Sequence, residues 1–152
     1  MGHTELHRTR VFDRVAVTLF DETPTPASTR AWLSELREAS RAAGAKIALI
    51  VVIPEGHAAP GPWIAAEIKE HIDVFHESVE TIVFALLGEG FSQSIRRSVI
   101  TGILLAVRSR RGRAAVVSTM DDAVAVLPTP YASATLREAI AREGLDHPRA
   151  RR

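Results

Sequence analysis

Apolar and polar positions along this chain switch repeatedly between a period of two and a helical period, and the switches mark out the elements. Val15, Val17 and Leu19 alternate with Ala16 and Thr18, which predicts a strand over 14–20. An earlier strand is expected within 4–12, with Phe12-Asp13-Arg14 as a tight turn between the two. Thr23-Pro-Thr-Pro26 must stay extended before it can enter a helix. Thr25 has the chemistry of an N-cap, and Pro26 suits the first helical position. That helix is predicted to run to about Ala43 with Leu33, Leu36 and Ala43 on one face, and Gly44 stands where a left-handed residue ends helices.

Ile47–Ile53 is apolar at every position and rich in β-branched residues, the pattern of a strand covered on both faces. After a loop over 54–62, Ile64, Ile68, Ile72, Phe75 and Val79 recur at helical spacing. A second wholly apolar strand is expected over Thr81–Leu87, closed by Gly88-Glu-Gly90. A third helix comes next, from Ser92 or Ser94 to Arg111, then a strand over Arg113–Ser118. A short helix over Asp121–Leu127 capped near Thr119, a linker over Pro128–Tyr131 and an amphipathic helix over Ser133–Glu143 complete the pattern. Strands alternating with helices predict an α/β fold whose sheet is mostly parallel with helices on both faces, and the opening hairpin makes it mixed. A single domain over 1–146 is expected, with a basic, disordered tail over 147–152.

With 152 residues, 46% apolar and 24% charged, the chain is long enough to bury one core without staples. It has no cysteine, which excludes disulfides, thiolate nucleophiles and Cys-ligated metals and fits a reducing compartment such as the cytoplasm. The polar start lacks the apolar run of a signal peptide. The longest apolar run, near Val99–Val107, is far shorter than the roughly 20 residues that span a bilayer. A net charge of +1 supplies no global field for nucleic acid.

Three stretches resemble the STAS domain, the fold of the bacterial anti-sigma-factor antagonists. They are Arg14-Val-Ala-Val-Thr-Leu-Phe20 leading to a helix that begins in Thr and Pro, Arg97-Ser-Val-Ile-Thr-Gly-Ile-Leu-Leu-Ala-Val107, and Ala115-Val-Val-Ser-Thr-Met-Asp-Asp-Ala-Val-Ala-Val-Leu127. The order of strands and helices over roughly 4–127 agrees. The resemblance implies a non-catalytic interaction or regulatory domain that binds a protein partner or a small ligand. One departure is clear. STAS antagonists are switched by a phosphorylated serine at the start of the helix after the central strand, and the matching stretch, Pro54-Glu-Gly-His-Ala-Ala-Pro-Gly-Pro-Trp63, has no Ser or Thr.

Several constellations could carry chemistry. Gly88, Gly90, Ser92 and Ser94, with Arg97 in the first turns of the following helix, join a buried strand to a helix N-terminus. Backbone N–H groups, glycines and a guanidinium there suit a phosphate or carboxylate, although a plain turn with a serine cap uses the same residues. The third glycine of a dinucleotide fingerprint is missing. This turn supports a second reading, a small anion- or nucleotide-binding protein or enzyme. Glu55 and His57 come after the carboxyl end of the central strand, where open α/β sheets place ligands, and form the best acid–base pair, with a solvated surface histidine as the simpler outcome.

No Gly-x-Ser-x-Gly elbow accompanies them. His71 and His76 are five residues apart, about 140° around a helix, and cannot share one metal. His3 and His7 lack a third ligand in sequence, so no metal or cofactor is expected. Arg108, Arg110, Arg111 and Arg113 cluster at a helix C-terminus, which the helix dipole favours. A nucleic-acid role for them lacks interleaved aromatics for base stacking. The third helix is apolar around most of its girth, with Val99, Gly102 and Leu105 on faces that need cover. Leu136, Ile140 and Leu145 could supply it, or a homodimer could.

Overall fold

A computed structural model describes residues 7–21, 25–54, 70, 72–87, 101, 113–128, 131 and 135–146. Its centre is a five-stranded sheet in the order β1 (His7–Phe12), β2 (Val15–Phe20), β3 (Ile47–Ile53), β4 (Val79–Leu86), β5 (Arg113–Val117). β1 pairs antiparallel with β2, and the other three pairings are parallel. The fold is therefore α/β with a mixed, mostly parallel sheet.

The hairpin turns at Asp13, whose φ of 57° places it in the left-handed region that Asp tolerates. From β2 onward each strand lies beside its predecessor. Right-handed crossovers that step in one direction put their connecting helices on one face. There α1 (Pro26–Ala43) lies, packed against α2 (Ile72–Ser78). The opposite face is covered by the chain after β5, namely α3 (Met120–Ala125) and α4 (Leu136–Arg142).

The strand period of two divides the core. Ala16, Leu49, Val51, Ile82 and Phe84 meet Trp32, Leu33, Leu36 and Ala39 of α1. Val17, Leu19, Ile50, Val52, Val83 and Ala85 meet Met120, Ala123, Leu127, Leu136, Ile140 and Leu145. Every residue of β2 and β3 is buried, and in β4 only Glu80 is exposed. Thr18 sets a buried hydroxyl amid this apolar surface. It accepts from Trp32 Nε1 at 2.9 Å and shares a 2.9 Å bond with Thr9 Oγ1 on the edge strand. Trp32 in turn stands edge-on to Phe20, 5.4 Å between centroids.

Local signals set the helix ends. Thr25 and Ser28 form a reciprocal capping box on α1, with Pro26 first in the helix. Gly44, at φ 67°, donates to Arg41 O at 3.1 Å while Ala45 donates to Ser40 O at 3.3 Å, a Schellman ending. Gly144 does the same for α4 and drops Leu145 into the core. Thr119 caps α3 through Asp122 N.

Three expectations need correction. Val79 opens β4 instead of continuing the helical stripe, because α2 runs into the strand without a loop. Ala43 is exposed, and Trp32 stands in the core beside Leu33 and Leu36 in its place. Tyr131, expected in a linker, is only 6% exposed and belongs to the second core cluster. The predicted third helix falls outside the described residues except for Thr101, which is helical and exposed. The basic tail over 147–152 also lies outside them.

Replacing Thr18 by Val keeps the shape but leaves Trp32 Nε1 buried without an acceptor. Urea unfolding should show a loss of about 1–3 kcal/mol, and an unchanged midpoint would mean the bond contributes nothing net.

Candidate functional site

Four parallel strands end side by side on one edge of the sheet. The register pairs Leu19 with Val52, Ile53 with Leu86 and Ala85 with Val117, and Leu87 N donates to Ile53 O at 3.0 Å. The chain leaves this edge after Pro54 toward Glu55 and His57, and after Leu87 toward Gly88, Gly90, Ser92, Ser94 and Arg97. Two segments expected from the sequence to bind ligand thus depart from adjacent strands at the carboxyl edge, where open α/β sheets bind ligands. Those seven residues themselves lie outside the described residues, as do Val99, Gly102 and Leu105.

At the β1–β2 end of this edge, polar side chains are tied together. Arg8 grips Asp21 with two parallel bonds, Nε to Oδ2 at 2.9 Å and Nη2 to Oδ1 at 3.1 Å. Both side chains are largely buried, at 12% and 9% exposure, a geometry that fixes direction as well as charge. His7, weighed with His3 as a metal ligand on sequence grounds, has a structural place in β1. Its ring is 5.7 Å from Phe20 and its Nε2 3.0 Å from Glu35 Oε2 of α1. Burial alone would raise the Glu35 pKa, but the His7 hydrogen bond and charge, with a Thr9 hydrogen bond, outweigh it and hold the carboxyl below its ordinary value. His7 and Glu35 therefore fasten the edge strand to α1.

The amino edge carries a second polar group of residues, absent from the sequence expectations. The Arg14 guanidinium lies 5.1 Å from the Tyr131 ring centroid and donates through Nη2 to Tyr131 Oη at 3.3 Å and to Lys46 O at 3.1 Å. The Tyr131 hydroxyl donates to Glu80 Oε2. Burial, the Glu80 hydrogen bond and its charge raise the Tyr131 pKa against the opposing Arg14 charge, so the phenol stays a neutral donor. These contacts tie the α3–α4 connection to the starts of β2 and β4. The available signal is a lone tyrosine between Pro128, Pro130 and a polar stretch.

Nearby, Lys46, Asp73, His76 and Glu77 line an open hollow of about 510 Å³. Arg137 of α4 joins Asp121 at 2.9 Å and Asp146 at 3.2 Å, closing the helical layer on itself. Among the described residues, no three His, Asp or Glu side chains converge as metal ligands, and no helix is long and apolar enough to cross a membrane. Of the arginine cluster, only Arg113 is described, as the first residue of β5.

No protein-family model matches the chain, and neither the curated proteins nor the solved structures contain a match.

The Glu35 contact has a definite pH signature. A carboxyl with a depressed folded pKa adds stability that is complete above its unfolded value, about 4.3, and fades as pH falls through the folded value. Glu35→Gln should therefore lower the urea midpoint at pH 7, and the gap from wild type should narrow steadily below about pH 4.3. A gap that is constant between pH 7 and pH 3 would contradict the pairing with His7.

Proposed function

We propose that the chain is a STAS-like interaction domain that works by binding a protein partner or a second copy of itself, without metal or covalent catalysis. The observation that carries this reading is the connectivity: an antiparallel hairpin, then parallel strands laid down in chain order, with α1 and α2 packed together on one face and the C-terminal helices on the other. The strand–helix order behind the resemblance, including the Thr25-Pro26 helix start and the Thr119-capped helix after β5, supports it. With no hydroxyl residue in Pro54–Trp63, its regulation would not use the serine switch of STAS antagonists.

A second reading has one specific observation in its favour. The Gly88–Arg97 segment leaves β4 beside the end of β3, at the edge where an anion- or nucleotide-binding protein would hold its ligand.

Calorimetry against a kinase-type anti-sigma factor tests the first reading, with saturable binding and no turnover of nucleotide by this chain as the expected result. Absence of binding, together with a melting shift by a phosphorylated metabolite that Gly90→Val abolishes, would favour the second reading over the first.

A further inference from the structure

The two edges of the sheet are built differently. β1 carries Arg8, bound to Asp21, and Arg10, which is 55% exposed and lies 3.7 Å from Glu143. Charges of this kind keep foreign strands off an edge. β5 ends the strand order at the other side and, among the described residues, pairs with β4 alone. After Arg113 it reads Ala-Ala-Val-Val, with no charge, proline or bulge. Ala114 and Val116 pack on one core cluster and Val117 on the other, yet Ala114–Ser118 stay half-buried where Ile47–Ile53 is buried throughout. That is the burial of a strand with covered faces and one open side, along which alternate residues present N–H and C=O groups.

The helix beside this edge is exposed on the same side. α3 touches β4 and β5, while α4 lies toward β1, where Glu143 meets Arg10. Met120, Ala123 and Leu127 form the buried stripe beneath α3. At 100° per residue, Asp121 and Val126 stand on opposite flanks of that stripe. Asp121 is bound to Arg137 of α4, so Val126 stands on the flank away from α4, the one that looks past β5. Val126 is 45% exposed, one of two large apolar side chains in water among the described residues.

From these two features we infer that a second copy of the chain adds its β5 antiparallel to this one, about a two-fold axis normal to the sheet. A single foreign strand could pair with the edge, but it would leave Val126 in water. A second copy brings its own α3 on the same face and covers both. With strands spaced about 4.8 Å, a helix over the β4–β5 pair lies about 5 Å from such an axis. Its copy is then about 10 Å away, an ordinary separation for packed helices. Centred on Ala115, the pairing engages all five residues and sets Ala114 opposite Val116, which pack on the same cluster. It also places Arg113 opposite Val117, away from its own copy. The two five-stranded sheets become one, and the contact is self-complementary as a two-fold requires.

This gives the self-association in the proposed function a surface, and it rests on that reading only in holding that the chain works by binding protein.

Sedimentation velocity and single-residue hydrogen exchange on the full chain decide it together. Wild type should sediment as a dimer at about 100 µM, a range where weak dimers are populated. As concentration rises through the association, the β5 amides that point away from β4 should gain protection, while the outward amides of β1 do not change. Val126→Lys should raise the dissociation constant at least ~ten-fold, since a dimer would bury its ammonium without a partner. Val11→Lys, at the other exposed valine and on the opposite edge, should leave that constant unchanged. A dimer in which β5 gains no protection overturns the inference, as does one that tolerates the two lysines equally. A monomeric wild type also overturns it, and leaves binding to a different protein to the calorimetric test. Should far-ultraviolet dichroism show either variant misfolded, exchange in the wild type decides alone.

Discussion

Strands β2, β3 and β4 are apolar on both faces, and a sheet of that kind cannot stand with either face in water. One set of their side chains, from Ala16 and Leu49 to Phe84 and Leu86, forms a core with α1. The alternate set, from Val17 and Ile50 to Ala85, forms another with α3, α4 and Leu145. Parallel strands laid down in chain order send their right-handed crossovers to one side only. The second face has to be covered by chain that comes after β5. That requirement explains why α3, α4 and Leu145 belong to the core: Ile140 is fully buried and Leu145 nearly so.

The same constraint accounts for the polar contacts. Arg14, Tyr131 and Glu80 hold the connection between α3 and α4 against the amino edge, and Arg137 clamps α4 to Asp121 and Asp146. At the hairpin, Arg8–Asp21 and His7–Glu35 fix the edge strand to the rest. Thr18 is tolerated at the centre because its hydroxyl accepts from Trp32 Nε1 and shares a hydrogen bond with Thr9. Polar groups at the periphery thus hold the two covering layers in place, and the carboxyl edge is where the two long segments after β3 and β4 depart.

How much of this is legible in the sequence depends on how local each signal is. Ile47–Ile53 has the same bounds in both, since a continuous β-branched run between Lys46 and Pro54 admits little else. The Thr25-Pro26 start and Gly44 end of α1 are legible because caps depend on a few adjacent residues. Val79 misleads because an apolar residue at helical spacing also fits the first position of a strand, and α2 meets β4 without a turn residue between them. Tyr131 and Trp32 escape a sequence reading for a different reason. Their partners, Glu80 and Arg14 for one and Thr18 for the other, are distant in sequence and adjacent only once the sheet has formed. The departure of the chain from β3 toward Glu55 and His57, and from β4 toward Gly88, at the carboxyl edge is legible because strand direction alone decides which end a loop leaves from, and those residues themselves lie outside the described ones.

The central claim, that the C-terminal helices are half of a shared core, is open to native-state hydrogen exchange across a denaturant series. If α4 covers the sheet as an integral layer, the slowest amides of Leu136–Arg142 and those of Ile47–Ile53 should exchange through the same global unfolding, with one free energy and one denaturant slope. Exchange of α4 at low denaturant with a small slope, while β3 remains protected, would show that the second face is stable uncovered and would contradict the account.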